Sequence, residues 1–331
     1  MSQYVNNHYI PQQLLSVFAI QDGAKNIFRY EKEFGTILKR PIALLAQQDN
    51  FYDINWEDAY LKADEDGKRE LNLLIQSYLH KDYAQISQQE KAVFTKAVEK
   101  QYFGSFENHY GPQIAVYRQK LEERLDKLKE GVPFVDSETK AALAEYIAVA
   151  SIRSLWFREI ILPLFIADNR RKHHLEPKTP DKDYLQFLHV CFIIDQNYLR
   201  QWENSLLAKK WLLLVNETPT PFVLTDNPLS TTGLNLIKYQ GMTLMIGDSE
   251  TLSFFPLSPK FLIIFCDKGQ SFSSLGSSKD NNAIFLPETL VKNQNEILFD
   301  QKVHMAFSSS LEELRRLATV GIHALKMFPN N

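Results

Sequence analysis

WLLLVNE at residues 211–217 and KFLIIFCD at residues 260–267 are short apolar runs of branched and aromatic side chains, closed by Asn, Glu or Asp. Runs this brief, bounded by turn residues, suit buried strands better than buried helices. PFVLTD (221–226), MTLMIG (242–247), TLSFFPL (251–257) and NAIFLP (282–287) repeat the pattern between Gly, Pro, Asn and Asp. Past Lys209 the hydrophobic period has therefore moved from 3.6 towards 2. That predicts about six strands in a mainly antiparallel C-terminal sheet.

Upstream, the pattern is helical. Within 57–83, Leu71, Leu74, Ile75 and Tyr78 recur at the spacing of one helical face. Ser87 with Glu90 forms a capping-box signature, and Val93, Phe94 and Val98 follow as its apolar stripe. Gln113–Lys129 is amphipathic and stops at Gly131 and Pro133. From Asp136 or Ser137 the chain runs through SIRSLWFREII (151–161) towards His174 with few polar residues. This is read as a central buried helix, kinked or ended at Pro163. DNRRKHHLEPKTPDKD (168–183) reads as a polar loop or a frayed helix end and the best internal boundary, and Tyr184–Leu207 as another helix. Towards the N-terminus, Tyr30, Phe34 and Ile37 around Gly35 predict a β-hairpin able to join the C-terminal sheet. Ser309–Met327 reads as a closing amphipathic helix. The expected fold class is α+β in a single domain over 1–331, with N-terminal strands (1–56), a helical part (57–208) and a β-rich part with a final helix (209–331).

Composition narrows the function classes. The 331 residues are 44% hydrophobic, so a sizeable core is within reach. With 37 basic and 40 acidic side chains the formal net charge is -3, and no whole-chain field draws the protein to nucleic acid or a membrane. The longest apolar runs fall well short of the roughly 20 residues that span a bilayer. MSQYVNNHYIPQQ lacks a basic and then apolar leader pattern, so no secretory signal is expected. Cys191 and Cys266 lie in apolar runs, which suits reduced, buried thiols and a cytoplasmic location. The sequence contains no HExxH, CxxC, Walker A, GxGxxG or GxSxG pattern, which argues against zincins, P-loop NTPases, simple Rossmann enzymes and the usual serine hydrolases. His173, His174 and Glu176 stand beside Arg170, Arg171 and Lys172, a field that repels cations, so no metal site is expected. Neither a cofactor nor an oligomeric state is indicated.

Three places hold residues that could carry chemistry. His8, in NHYIPQ (7–12), is either a general base or ligand, or it hydrogen-bonds backbone with Gln12 while Tyr9 and Ile10 anchor the segment. Asp226 and Asn227, at the end of a strand, either orient a histidine, water or metal, or perform the turn chemistry that Asp-Asn-Pro favours. Arg153 and Arg158 lie in an apolar helix, where a guanidinium requires a carboxylate, phosphate or carbonyl partner. Their spacing puts them about 140° apart on an ideal helix.

Taken in order, NHYIPQQLLSVFA (7–19), LAQQDNFYDI (45–54), SIRSLWFRE (151–159), FVLTDNPL (222–229), FFPLSP (254–259) and VKNQNEILFDQKVHMAFSS (291–309) resemble the domain-of-unknown-function family 4238 over almost the whole chain. The family's recurring marks fall on His8, Tyr9, Pro11, Arg153, Arg158, Asp226, Asn227, Pro228, Pro256, Pro259 and Asn295. Gln13 and Leu14 depart from the aromatic that commonly follows the PQ or PR step. The resemblance implies a single domain and this residue set, without an activity. A polar set of this kind more often builds a site than a core. The leading expectation is a metal-independent phosphodiester hydrolase, nuclease-like and of a bacterial defence or toxin kind. In it His8 is base or acid, Arg153 stabilises negative charge, and Asp226 and Asn227 orient the histidine or a water. Tyr9, Gln12, Arg158 and Asn295 would contact the ligand, a nucleic acid or a small anion. The alternative is a non-catalytic module that binds an anionic ligand or a protein partner, with the polar residues structural.

Overall fold

The computed structural model describes residues 6–23, 25–49, 51–52, 55–91, 104–172, 174, 180–232, 251–268 and 279–327. The decisive runs are strands: β5 (Lys210–Asn216) pairs antiparallel with β9 (Phe261–Cys266), Lys210 opposite Cys266. β8 (Leu252–Pro256) and β7 (Ser230–Thr232) extend this sheet on one side and β10 (Asn282–Leu286) on the other, in the order β10-β5-β9-β8-β7. The β10–β5 pair is parallel, so the sheet is mainly rather than wholly antiparallel. MTLMIG lies outside the described residues.

These strands read as continuous apolar runs because both faces are covered. Trp211, Leu213, Val215, Phe261, Ile263 and Phe265 face a core shared with the helical part. Their neighbours Leu212, Leu214, Leu262, Ile264 and Cys266 face a second core. That second core is closed by α10 (Glu288–Asp300), through Val291, Leu298 and Phe299, and by α11 (Leu311–Met327), through Leu314 and Leu317. The expected hairpin is β2 (Asn26–Glu31) with β3 (Thr36–Pro41), turning at Gly35 with φ 60°. It does join C-terminal chain, in a separate sheet: the order β3-β2-β11-β6 places it beside β11 (Met305–Ser308), which pairs in turn with β6 (Leu224–Thr225).

Ahead of the hairpin runs β1 (Asn6–His8), which pairs with β4 (Gln47–Asp49); α1 (Gln12–Val17) follows it. The helix expected over 57–83 is two, α2 (Trp56–Leu61) and α3 (Glu65–Leu79), because Asp64 caps the second by accepting the Gly67 N–H at 2.9 Å. Leu71 and Ile75 are buried as expected, while the side chains of Leu74 and Tyr78 lie outside the description. The Ser87–Glu90 box forms reciprocally, at 2.9 and 3.2 Å; Val93, Phe94 and Val98 are outside the described residues. α4 (Gly104–Glu123) starts well before Gln113, carries Pro112 inside it, and is followed by α5 (Leu125–Lys129) and by Gly131 at φ 85°.

The central helix departs most from expectation. α6 (Ser137–Ile152) is capped by Asp136, as read, and stops at Ile152. A break at Arg153 and Ser154 and a π-helical turn, Phe157–Ile161, separate it from α7 (Leu162–Lys172). Pro163 ends nothing. It lies inside a helix that runs on from the π-turn to Lys172, and the wide turn sits just before it, where the ladder must do without the proline N–H. Side chains bond the carbonyls around the break. Ser151 Oγ bonds Ile147 O at 2.6 Å, Ser154 Oγ bonds Ser151 O at 2.7 Å, and His189 Nε2 bonds Ile152 O at 2.7 Å. Of the two readings for the stretch from 168, the helix end holds through Lys172, with Asp168 pairing Arg171 and Lys172 at 2.5 and 2.9 Å. The helix expected over 184–207 is α8 (Lys182–Ile194) and α9 (Gln196–Ala208), divided where Asp195 accepts the N–H groups of Asn197 and Tyr198.

Candidate functional site

The N-terminal segment is tied down at every step. Tyr9 N–H bonds Ala46 O at 2.9 Å, and Pro11 leads directly into α1. His8 Nδ1 lies 3.0 Å from Leu45 O, a contact in which the ring nitrogen must donate. Nε2 is then the acceptor, and the Gln12 amide reaches it at 2.6 Å. Burial holds His8 below its usual 6.5; the Leu45 bond opposes this and Arg153 adds to it. The ring is therefore neutral near pH 7, with both nitrogens occupied.

Arg153 is buried against this segment. Its guanidinium bonds the His8 carbonyl and, at 2.7 Å, the Glu107 carboxylate. Gln13 crosses the same helix, its amide donating to Glu107 O at 3.0 Å over Gly111, where a Cβ would fall 1.4 Å from the Gln13 oxygen. Tyr52 closes the group from below: its hydroxyl approaches His8 O at 3.3 Å and Arg153 O at 3.4 Å, and burial pushes it up to about 12.

On an ideal helix Arg158 would point elsewhere, but the break and the π-turn bring it onto the same aromatic wall. Its guanidinium lies 3.8 Å from the Phe51 ring centroid, and it acts electrostatically on Tyr52 and Tyr9. Tyr9 is buried with its hydroxyl 4.0 Å from Met305 Sδ; burial raises it well above its usual value, followed by the influence of Asp226. Asp226 accepts the backbone N–H groups of Val303, His304 and Met305 at 2.8, 2.7 and 2.9 Å. Burial pushes its carboxyl up to about 6, against the pull of those three donors. Asn227 donates to Gln301 O at 3.4 Å, and its own side-chain oxygen is buried with no hydrogen-bond partner among the described residues.

The marks thus fall into three places. His8, Gln12 and Arg153 form one cluster, while Tyr9, Arg158 and Asp226 form a second, with Tyr52 between them. Asn295 stands apart in the second core, where it accepts Val223 N–H at 3.1 Å and donates to Pro221 O and to the Glu313 carboxylate, both at 2.8 Å. Asp226 and Asn227 bond backbone, and among the described residues neither is hydrogen-bonded to a histidine ring. Five residues to which the sequence reading gave no role in a site complete these clusters. Glu107 partners Arg153, and Tyr52 links the clusters. His189 is fully buried, edge-on to Phe51 and stacked on Phe157. Glu159 and His304, 145 positions apart, lie 2.7 Å from one another. Tyr52 and His304 were visible only inside longer family-like stretches.

Among the described residues no three His, Cys, Asp or Glu are grouped to hold a metal, and no helix is long and apolar enough to cross a membrane. Of the expected His173, His174 and Glu176 group, only His174 is described. Cys191 and Cys266 are buried and unbridged. A family model described as protein of unknown function, DUF4238, matches residues 6–188 and 194–310. No curated protein and no solved structure matches the chain.

Proposed function

The chain belongs to the DUF4238 family of proteins of unknown function, and from that premise we propose that it is a metal-independent phosphodiester hydrolase, nuclease-like in its substrate. The observation that carries the proposal is the placement of Arg153 and Arg158. A helix break turns two buried guanidiniums towards one aromatic wall, beside the N-terminal segment. Planar, permanently charged forks in a low-dielectric setting suit the negative charge that grows on phosphoryl oxygens during displacement. In this reading Arg158 meets the phosphate, while His8 holds Arg153 through its carbonyl. The two buried free thiols support a reduced, cytoplasmic setting, in which a bacterial defence or toxin enzyme could act.

The test is cleavage of end-labelled RNA and DNA oligonucleotides in EDTA. Wild-type protein should cut at least one of them, and Arg158→Lys should lower turnover about 10²-fold without lowering Tm by more than a few degrees. A wild-type protein that cuts neither strand sinks the proposal. One observation favours a second reading, a non-catalytic binding module in which these polar residues are structural: Glu107 and Glu159 already pair with the two guanidiniums. In that case inorganic phosphate or a mononucleotide raises Tm and no product forms.

A further inference from the structure

Glu159 and His304 lie inside the family-like stretches 151–159 and 291–309 without being among the family's recurring marks, and the fold brings them together. Glu159 Oε2 lies 2.7 Å from His304 Nε2. With a carboxylate there, Nε2 carries the proton and the lone pair belongs to Nδ1, which has no partner among the described residues. The His304 side chain is 52% exposed, so the pair stands at the surface rather than in the core. Both partners are held from behind. The buried Asp226 carboxylate takes the N–H of His304 and of the residues on either side. Glu159 rides on the π-turn Phe157–Ile161, with Arg158 Nη2 at 3.4 Å from its other oxygen. π-turns of this kind occur often at functional sites, where they displace side chains from the regular helical register. An exposed histidine–carboxylate pair adds little to stability, typically below about 1 kcal/mol, so stability alone does not account for this much anchoring.

We infer that His304 is the proton acceptor of the hydrolysis proposed above, oriented by Glu159 and positioned by Asp226. The inference rests on the hydrolase reading and supplies its base. A water oxygen forms a bond to phosphorus as its proton passes to His304 Nδ1. The bond from phosphorus to the leaving oxygen breaks, that oxygen keeps the electron pair and takes a proton from solvent, and the imidazolium, stabilised by Glu159, returns its proton to solvent.

The experiment uses the full chain and the oligonucleotide that the wild-type protein cuts. His304→Ala should lower kcat by about 10²–10⁴-fold with Tm unchanged, and added imidazole should restore part of the loss, which no merely structural role would allow. Glu159→Gln, which keeps an acceptor and removes the charge, should lower kcat while leaving KM near the wild-type value. A His304→Ala variant with wild-type kcat overturns the inference and leaves the hydrolase reading standing. A wild-type protein that cuts nothing overturns both.

Discussion

Asp226 shows how a side chain can look catalytic in sequence and be structural in its bonding. The Thr-Asp-Asn-Pro step reads correctly as a strand end with turn chemistry, but its hydrogen-bond partners lie 77 to 79 residues away, and no local pattern names them. Both carboxylate oxygens are needed, since one serves Val303 and the other serves His304 and Met305. Asp226→Asn replaces one acceptor with an NH₂ that must face a backbone N–H. A buried donor left unpaired costs about 1–3 kcal/mol, so urea denaturation should show the variant less stable by about 2–3 kcal/mol. Unchanged stability would mean that the carboxylate does not hold the 303–305 segment. His8 was legible in part: its ring bonds backbone, at Leu45 just ahead of β4, while Gln12 bonds the His8 ring instead of backbone.

Among elements, the buried strands were the most legible, since β5 and β9 are apolar on both faces and closed by polar residues. The interruption of the long central helix was not. Its sequence is apolar all round, so a shift of register leaves no trace in the periodicity, and Pro163 drew the expected break about ten residues too late. Nor did α10 declare itself, because polar residues occupy buried positions on it: Gln294 and Asn295 are both buried. Asn295 explains why a polar residue sits there. It joins α10 to the backbone leading into β6 and to Glu313 on α11, whose carboxylate Arg316 grips at 2.9 Å. Asn295→Ala should cost about 2–3 kcal/mol in chemical denaturation, the scale of an unpaired buried N–H plus lost packing. Asn295→Asp should cost more, because a second carboxylate would then face Glu313 and Pro221 O. If the Asp variant is as stable as wild type, this network does not clamp the two helices.

For the molecule as a whole, the same buried groups set how stability responds to acid, and two of them act in opposite directions. His189 is fully buried beneath Phe51 and Phe157, and desolvation, then Arg158, lowers it to about 3 from 6.5. Below pH 6.5 the unfolded chain therefore takes a proton that the folded chain refuses, so stability falls as pH falls, by about 2 kcal/mol at pH 5. His8, also lowered, acts in the same direction. Asp226 is raised to about 6 from 3.8, so the folded chain protonates first. Its contribution falls as pH rises from 3.8 to 6, and on acidification from pH 7 to pH 5 it returns about 1 kcal/mol. Wild-type stability should thus change only modestly between pH 7 and pH 5, and the opposing parts become visible in variants. Urea midpoints measured at both pH values should show His189→Leu losing about 2 kcal/mol less than wild type on acidification, and Asp226→Asn losing about 1 kcal/mol more. Parallel pH profiles for all three proteins would mean that neither group is held away from its ordinary titration by the fold. The break that His189 caps and the loop that Asp226 anchors would then not be under the electrostatic constraint described.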